Sequence, residues 1–213
     1  MKKNENLPDK IPVFPLSNFI IFPNTSVPLN IFEPRYIEMI NDCMKSNRII
    51  GMIQPRNKKK IEPELYSIGC AGKIVSFDET DDGRYLIVIK GISRFKIIKE
   101  IINNKTYREC EVNFEQFKND LNKKENEVGF NDLKIIFKSF KSLFEKNGYQ
   151  INWKEIEKQS LDQTINTLAM ASPFSLEEKQ ILLEAIDINN RKVELEKILN
   201  TYTLDQFNHT TLQ

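Results

Sequence analysis

The side chains able to carry chemistry in this sequence are few, and their spacing does not bring them together. Acyl transfer through a Ser-His-Asp or Cys-His set needs an imidazole to take the nucleophile's proton. The chain has one histidine, His209, close to its end, which also argues against a histidine-rich metal site. A phosphate cradle needs Gly-x-x-x-x-Gly-Lys-Ser/Thr. The nearest approach, Gly72-Lys73, has Ser67 in place of the first glycine and Ile74 in place of the hydroxyl, so it reads as the interior of a strand. Serine and lysine are abundant, and composition alone leaves a Ser-Lys pair open. Cys43, Cys70 and Cys110 are too widely spaced for a Cys-x-x-Cys clip, and their odd number makes no disulfide framework. They read as reduced, mostly buried thiols of a reducing compartment. No recognisable catalytic set, cofactor site or metal site is expected.

Charge narrows the partners. The 213 residues carry a net charge of +1, which predicts no strong attraction to nucleic acid or to an acidic membrane. The run Arg56-Asn57-Lys58-Lys59-Lys60 could contact phosphates, but no aromatic residues are interleaved with it, so it reads as a solvated loop. Hydrophobic residues at 40% and charged residues at 29% fit a soluble globular protein. The first residues hold no apolar core of a signal peptide, and no apolar run approaches the ~20 residues of a membrane helix. A cytoplasmic protein without membrane contact is expected.

The elements that must present any binding surface fall into two halves. Ile11-Pro12-Val13-Phe14-Pro15-Leu16 and Val27-Pro28-Leu29-Asn30-Ile31-Phe32 are apolar runs broken by prolines. Proline cannot donate to a ladder, so both are expected to be edge or bulged strands. Pro34 suits a first helical position, and Tyr36, Ile37, Ile40 and Met44 continue one helix to about Ser46. Ile49 to Ile53 reads as a short buried strand, and residues 56–64 as a loop. Residues 73–77 and 85–89 flank Asp81-Asp82-Gly83, a turn suited to positive φ. Residues 95–98 and 107–112 are expected to be two further strands, making a curled, barrel-like sheet. After Phe114 the period changes. Residues 116–127 are polar, a boundary or a solvated helix start, and residues 133–144 trace one helix face ending near Gly148. Trp153 and Ile156 mark a short helix. Ser160 to Gln163 and Ser175 to Glu178 both match the capping box, and Asp187 is placed to cap a last helix through Val193, Ile198 and Leu199.

Four ordered motifs resemble the N-terminal, substrate-binding domain of Lon-type ATP-dependent proteases. The opening runs through Ile11-Pro12-Val13-Phe14-Pro15-Leu16, Phe22-Pro23 and Pro28-Leu29-Asn30-Ile31-Phe32-Glu33-Pro34-Arg35-Tyr36. Next come Ile68-Gly69-Cys70-Ala71-Gly72-Lys73-Ile74, and then Asp82-Gly83-Arg84-Tyr85 through Lys90-Gly91-Ile92-Ser93-Arg94-Phe95. The last is Ser172-Pro173-Phe174-Ser175-Leu176-Glu177-Glu178 through Glu184. The resemblance covers nearly the whole chain. It implies an α+β fold: a PUA-like β pseudo-barrel with one helix (residues 1–115), followed by a C-terminal helical bundle (residues 116–213). In full-length Lon this domain precedes an ATPase and a Ser-Lys peptidase, so the resemblance implies a stand-alone form that is not an enzyme. Its implied partners are unfolded or degron-bearing polypeptides, with a separate ATP-dependent protease as a further one, and Phe32, Glu33, Arg35 and Tyr36 as contact residues. Packing offers a competing role for these contact residues: Pro34 starts the helix, Glu33 faces its dipole and Tyr36 fills core. The alternative function is RNA binding, as in other PUA-like proteins.

Overall fold

The computed structural model describes residues 7–56, 63–121, 133–156 and 159–210. The polar stretch 122–127 and the lysines of the 56–64 loop lie outside them. Contacts divide the chain into two compact units, Met1–Asn122 and Lys123–Gln213.

In the first unit the order is β1 (Lys10–Pro15), β2 (Ser26–Ile31), α1 (Pro34–Met44), β3 (Ile49–Ile53), β4 (Ile68–Glu79), β5 (Tyr85–Ile101) and β6 (Arg108–Asn113). A 3-10 segment, Glu115–Leu121, follows. The strands lie in the order β2-β5-β4-β3-β1-β6, and β6 pairs again with β5. That second pairing closes β1, β3, β4, β5 and β6 into a barrel, with β2 added on the outside of the ring. All ladders are antiparallel except β1 with β3. The interior is filled by Ile11, Val13, Ile49, Ile53, Ala71, Phe95, Cys110 and Val112. The expected α+β pseudo-barrel is the fold observed.

Two strand expectations need correction. β1 is not an edge strand: residues 10–13 pair with β6 and residues 13–15 with β3. Each proline survives because its half of the strand has a neighbour on one side only, Pro12 beside β6 and Pro15 beside β3. The edge reading holds for β2, which among the described residues pairs with β5 alone. Residues 95–98 are no separate strand either; they continue β5, which runs unbroken for 17 residues. Gly91, in its middle, makes no turn. A Cβ there would lie 2.1 Å from the Phe22 carbonyl oxygen, so glycine is needed for close backbone approach. The true turn comes earlier. Gly83, at φ 79°, donates to the Thr80 carbonyl while Thr80 donates to that of Arg84, a tight hairpin end in which positive φ favours glycine.

The 3-10 segment is exposed along most of its length, with Glu115, Gln116, Lys118, Asn119 and Leu121 at the surface, but it is fastened at two residues. Phe117 is buried, and the guanidinium of Arg94 lies 4.2 Å above its ring. Arg94 donates from Nε and Nη2 to Asp120 at 2.9 and 2.8 Å, and its backbone N–H donates to the same carboxylate at 2.9 Å. The side chains are 2% and 11% exposed, so the pair is desolvated and the carboxylate is matched by three donors.

The second unit consists of α2 (Leu133–Lys146), α3 (Trp153–Ile156), α4 (Leu161–Ala171), α5 (Leu176–Glu184) and α6 (Ile188–Thr210). Gly148, at φ 73°, ends α2, and Tyr149 donates back to the Phe144 carbonyl. Ser175 and Glu178 form a full capping box at α5. At α4 only half of the expected box forms, with Ser160 accepting from the Gln163 N–H. Asp187 caps α6 through the Asn190 N–H, as expected, but Val193 faces solvent instead of the core. Arg191 is buried and joins three helices, donating to Asn166 in α4 and to the Leu182 carbonyl in α5. No helix among the described residues is long and apolar enough to cross a membrane.

Removing one partner of a buried pair strands the other charge, at a cost of about 3–5 kcal/mol. Asp120→Ala is therefore expected to lower unfolding free energy by about that amount, read from urea unfolding. A loss within error of zero would show that the pair does not hold the 3-10 segment in place.

Candidate functional site

The β unit turns its alternating side chains two ways. On β5, Tyr85, Ile87 and Ile89 are buried, while Leu86, Val88 and Lys90 face outward. Register places Pro28 opposite Val88 and Asn30 opposite Leu86. On the other side of β5, Ser76 lies opposite Val88 and Asp78 opposite Leu86. The β4 ladder shifts between Ile74 and Ser76, leaving Val75 as the extra residue of a bulge. The outer face of β2, β5 and β4 thus carries Pro28, Leu86, Val88 and Val75 among the polar Ser26, Asn30, Ser76, Asp78 and Lys90. Phe32, just past the end of β2, has the same parity. Phe32 is 65% exposed, Val75 54% and Leu86 45%.

Of the four residues expected to make contact, three are exposed to some degree and one is buried. Phe32 is exposed. Glu33 and Arg35 are partly exposed and bonded to each other, with Arg35 donating from Nε and Nη2 to Glu33 Oε2 at 3.0 and 2.7 Å. The Glu33 side chain makes no cap bond to the helix; its carbonyl accepts from the N–H groups of Tyr36 and Ile37, behind Pro34 at the first helical position. Tyr36 is buried, its ring edge-on to Phe14 at a centroid distance of 4.2 Å, with the Arg35 guanidinium 4.6 Å above it. Burial raises the pKa of its hydroxyl. Tyr36 therefore anchors the helix start from beneath, and Phe32, Glu33 and Arg35 are the parts another molecule can reach.

Sequence reasoning missed a cleft of about 950 Å³ between residues 63–67 and the β5–β6 hairpin. Its cations are committed to the protein. Arg108 donates to both Glu100 oxygens and to the Pro63 carbonyl, and Lys105 meets Glu109 at 2.8 Å. The one sequence signal was Arg56, here 5.3 Å above the Tyr66 ring. Helix α1 is held against two hairpins by polar contacts, Tyr85 to Asn41, Thr106 to Glu38 and Tyr107 to Asp42.

The thiols are not poised for chemistry. Cys43, Cys70 and Cys110 are buried thiols outside any disulfide. Burial, aided by the Asp42 charge, pushes Cys43 up to about 12, and burial with Glu100 pushes Cys110 up to about 11. Nucleophilic thiolate is correspondingly scarce near neutrality.

Residues 10–201 match the family model described as the ATP-dependent protease La (LON) substrate-binding domain. Curated relatives include the Lon protease of Flavobacterium johnsoniae, 26% identical over 205 residues. Another is Lon protease 2 of Myxococcus xanthus, 24% identical over 200 residues. Each alignment covers 92% of this chain and 24% of the relative, so the chain spans about a quarter of their length. Among solved structures, the Lon N-terminal domain protein from Xanthomonas campestris superposes with a TM-score of 0.63 at 19% identity, covering 90% of this chain and 97% of that one. The N-terminal domain of Lon protease from the Mycobacterium avium complex gives 0.61 at 18% identity, covering 90% and 98%. At that identity the structures speak for the fold.

Two measurements follow. Tyr36→Ala should cost about 3–5 kcal/mol, as for other large buried side chains, whereas Arg35→Ala should cost about 0–1 kcal/mol, the range of surface ion pairs. Equal losses in thermal or urea unfolding would contradict this division. At about pH 8, near the ordinary thiol range, a thiol-reactive dye should label the native protein slowly and all three cysteines in denaturant. Fast native labelling of Cys43 or Cys110 would contradict the raised pKa values.

Proposed function

The chain belongs to the family of LON substrate-binding domains, and from that membership we propose that its β unit binds unfolded or degron-bearing polypeptide, presenting it to an ATP-dependent protease. The observation that carries this reading is the outward apolar face of β2, β5 and β4, with Phe32 at its end. These side chains are not needed to fill the barrel, whose interior is filled by Ile11, Val13, Ile49, Ile53, Ala71, Phe95, Cys110 and Val112. Exposed apolar groups grouped on one face favour contact with hydrocarbon that a native protein would bury and an unfolded one displays. Glu33 and Arg35 flank the face as a neutral pair, which adds polarity without a strong field of either sign. Tyr36 holds the backbone that presents them.

Burial of a Phe or Leu side chain is worth roughly 1.5–3 kcal/mol, or about ten- to a hundredfold in affinity for each residue that loses its contact. Combining Phe32→Asp with Leu86→Asp should therefore weaken binding of a permanently unfolded model protein by at least about tenfold, while the thermal melt stays that of a folded protein. Wild-type binding should change little between low and moderate salt, because hydrocarbon burial releases no counterions. A structured RNA titrated alongside provides the contrast, since binding to phosphates weakens steeply as salt rises. Tight, salt-sensitive RNA binding with no affinity for the unfolded chain would overturn the reading in favour of the RNA-binding alternative. An unchanged affinity in the folded double variant would move the contact away from this face.

A further inference from the structure

The same face ends at an open strand edge. The Gly91 N–H donates to the Thr25 carbonyl at 2.9 Å, so at the entry to β2 the Thr25 carbonyl faces β5. Bonded and non-bonded pairs alternate along an antiparallel ladder. Val27, Leu29 and Ile31 therefore face β5, and the backbones of Ser26, Pro28 and Asn30 face away from it. Pro28 agrees with this assignment, since a proline opposite Val88 can only occupy a position that does not donate to β5. Ser26, Pro28 and Asn30 are all exposed. Beyond the β5 ladder, no hydrogen bond among the described residues reaches their backbones.

Building on the polypeptide-binding reading above, we propose that β2 takes an extended segment of the bound polypeptide as an added strand. The segment's backbone pairs with Ser26, Pro28 and Asn30, and its apolar side chains at every second position lie beside Pro28 and Phe32. The chemistry selects the occupant. The Ser26 and Asn30 N–H groups and the carbonyls of Ser26, Pro28 and Asn30 repeat at the two-residue spacing of a strand, which another peptide backbone matches. Ser26, Pro28 and Asn30 also share the outward face with Val88 and Leu86, so an added strand continues the apolar surface sideways. Backbone pairing is indifferent to side-chain identity. That suits a site that must accept many sequences, provided they are extended and alternate in polarity.

Pro28 also argues against a second copy of this chain as the occupant. Two β2 edges paired antiparallel about their centres would set Pro28 against Pro28, and both central donors would be missing. A client strand meets one missing donor and still finds the Pro28 carbonyl as an acceptor. Proline on an exposed edge is a known guard against self-association; here it leaves the flanking donors available.

The test uses the full chain and a short synthetic peptide alternating valine with glutamine. Binding is measured by titration, and amide exchange is followed residue by residue by NMR. With peptide at about 100 times its Kd, the free population falls about a hundredfold. Exchange at Ser26 and Asn30 should then slow by about that factor, while Val27, Leu29 and Ile31, already bonded to β5, should not change comparably. Peptide binding with unaltered exchange at Ser26 and Asn30 overturns strand addition and leaves the polypeptide-binding reading standing. Binding of the unfolded model protein without binding of the alternating peptide does the same. If neither binds, both fall.

Discussion

The β unit is built around one steric condition: the ring of Phe95, wholly buried in the barrel, requires bare backbone beside it. A Cβ added at Gly51 in β3 or at Gly69 in β4 would come within 2.9 and 2.6 Å of that ring. Strands β3 and β4 can pass Phe95 because neither has a side chain at that point, and β5 can cross them because it carries the ring inward. The next residue back along β5, Arg94, points to the other side and grips Asp120 and Phe117. Two adjacent residues thus fill the barrel and fasten the segment that leaves it. A change at Gly51 or Gly69 acts on the whole unit, because interiors packed this closely relax little.

The surface features follow from that frame. Once the inner parity of β5 is committed to the core, its outer parity is determined for the whole length of the strand, bulges aside. Leu86 and Val88 become surface residues by geometry, so their apolar character is left unexplained by the fold. Two ion pairs near the ends of these strands are satisfied locally, Arg35 with Glu33 and Arg84 with Asp82. Such pairs contribute little to stability. Their effect is to keep a strong field of either sign off the face, in keeping with the near-neutral charge of the chain.

What could be read directly from the sequence was local. The helix behind Pro34, the glycine of the hairpin end, the capping residues Ser175 and Asp187, and the change of period after Phe114 all depend on residues a few positions apart. What escaped was long-range. The rule that proline marks an edge assumes that a strand has the same neighbours along its length, and β1 changes partner at Val13. Residues 85–89 and 95–98 read as two strands, and the constraint on Gly91 between them, the Phe22 carbonyl, lies far away in sequence. Asp120 looked like one more solvated acid because its partner Arg94 is 26 residues earlier. At the candidate site, Phe32, Glu33, Arg35 and Tyr36 were legible as a group, with core packing as the competing role of Tyr36, and the turn of the helix carries Tyr36 inward. The outer face and the free edge of β2 needed strand register, which a single sequence does not disclose.

The ring of strands closes where the first strand of the unit, β1, meets the last, β6, with Lys10 opposite Glu111 and Val13 opposite Arg108. That arrangement has a consequence for birth on the ribosome. A nascent chain emerges from its amino end, so β1 leaves the exit tunnel long before the strand that covers its flank has been synthesised. Until β6 follows, Ile11 and Val13 have no complete barrel to enter, and the growing chain exposes the kind of apolar strand that quality-control systems bind. Pairing across such a separation in sequence is slow to form, because loop-closure entropy must be overcome before the contact stabilises anything. The prolines at positions 12 and 15 fit that interval: they interrupt the exposed strand as a template for misassociation and are accommodated when the barrel closes.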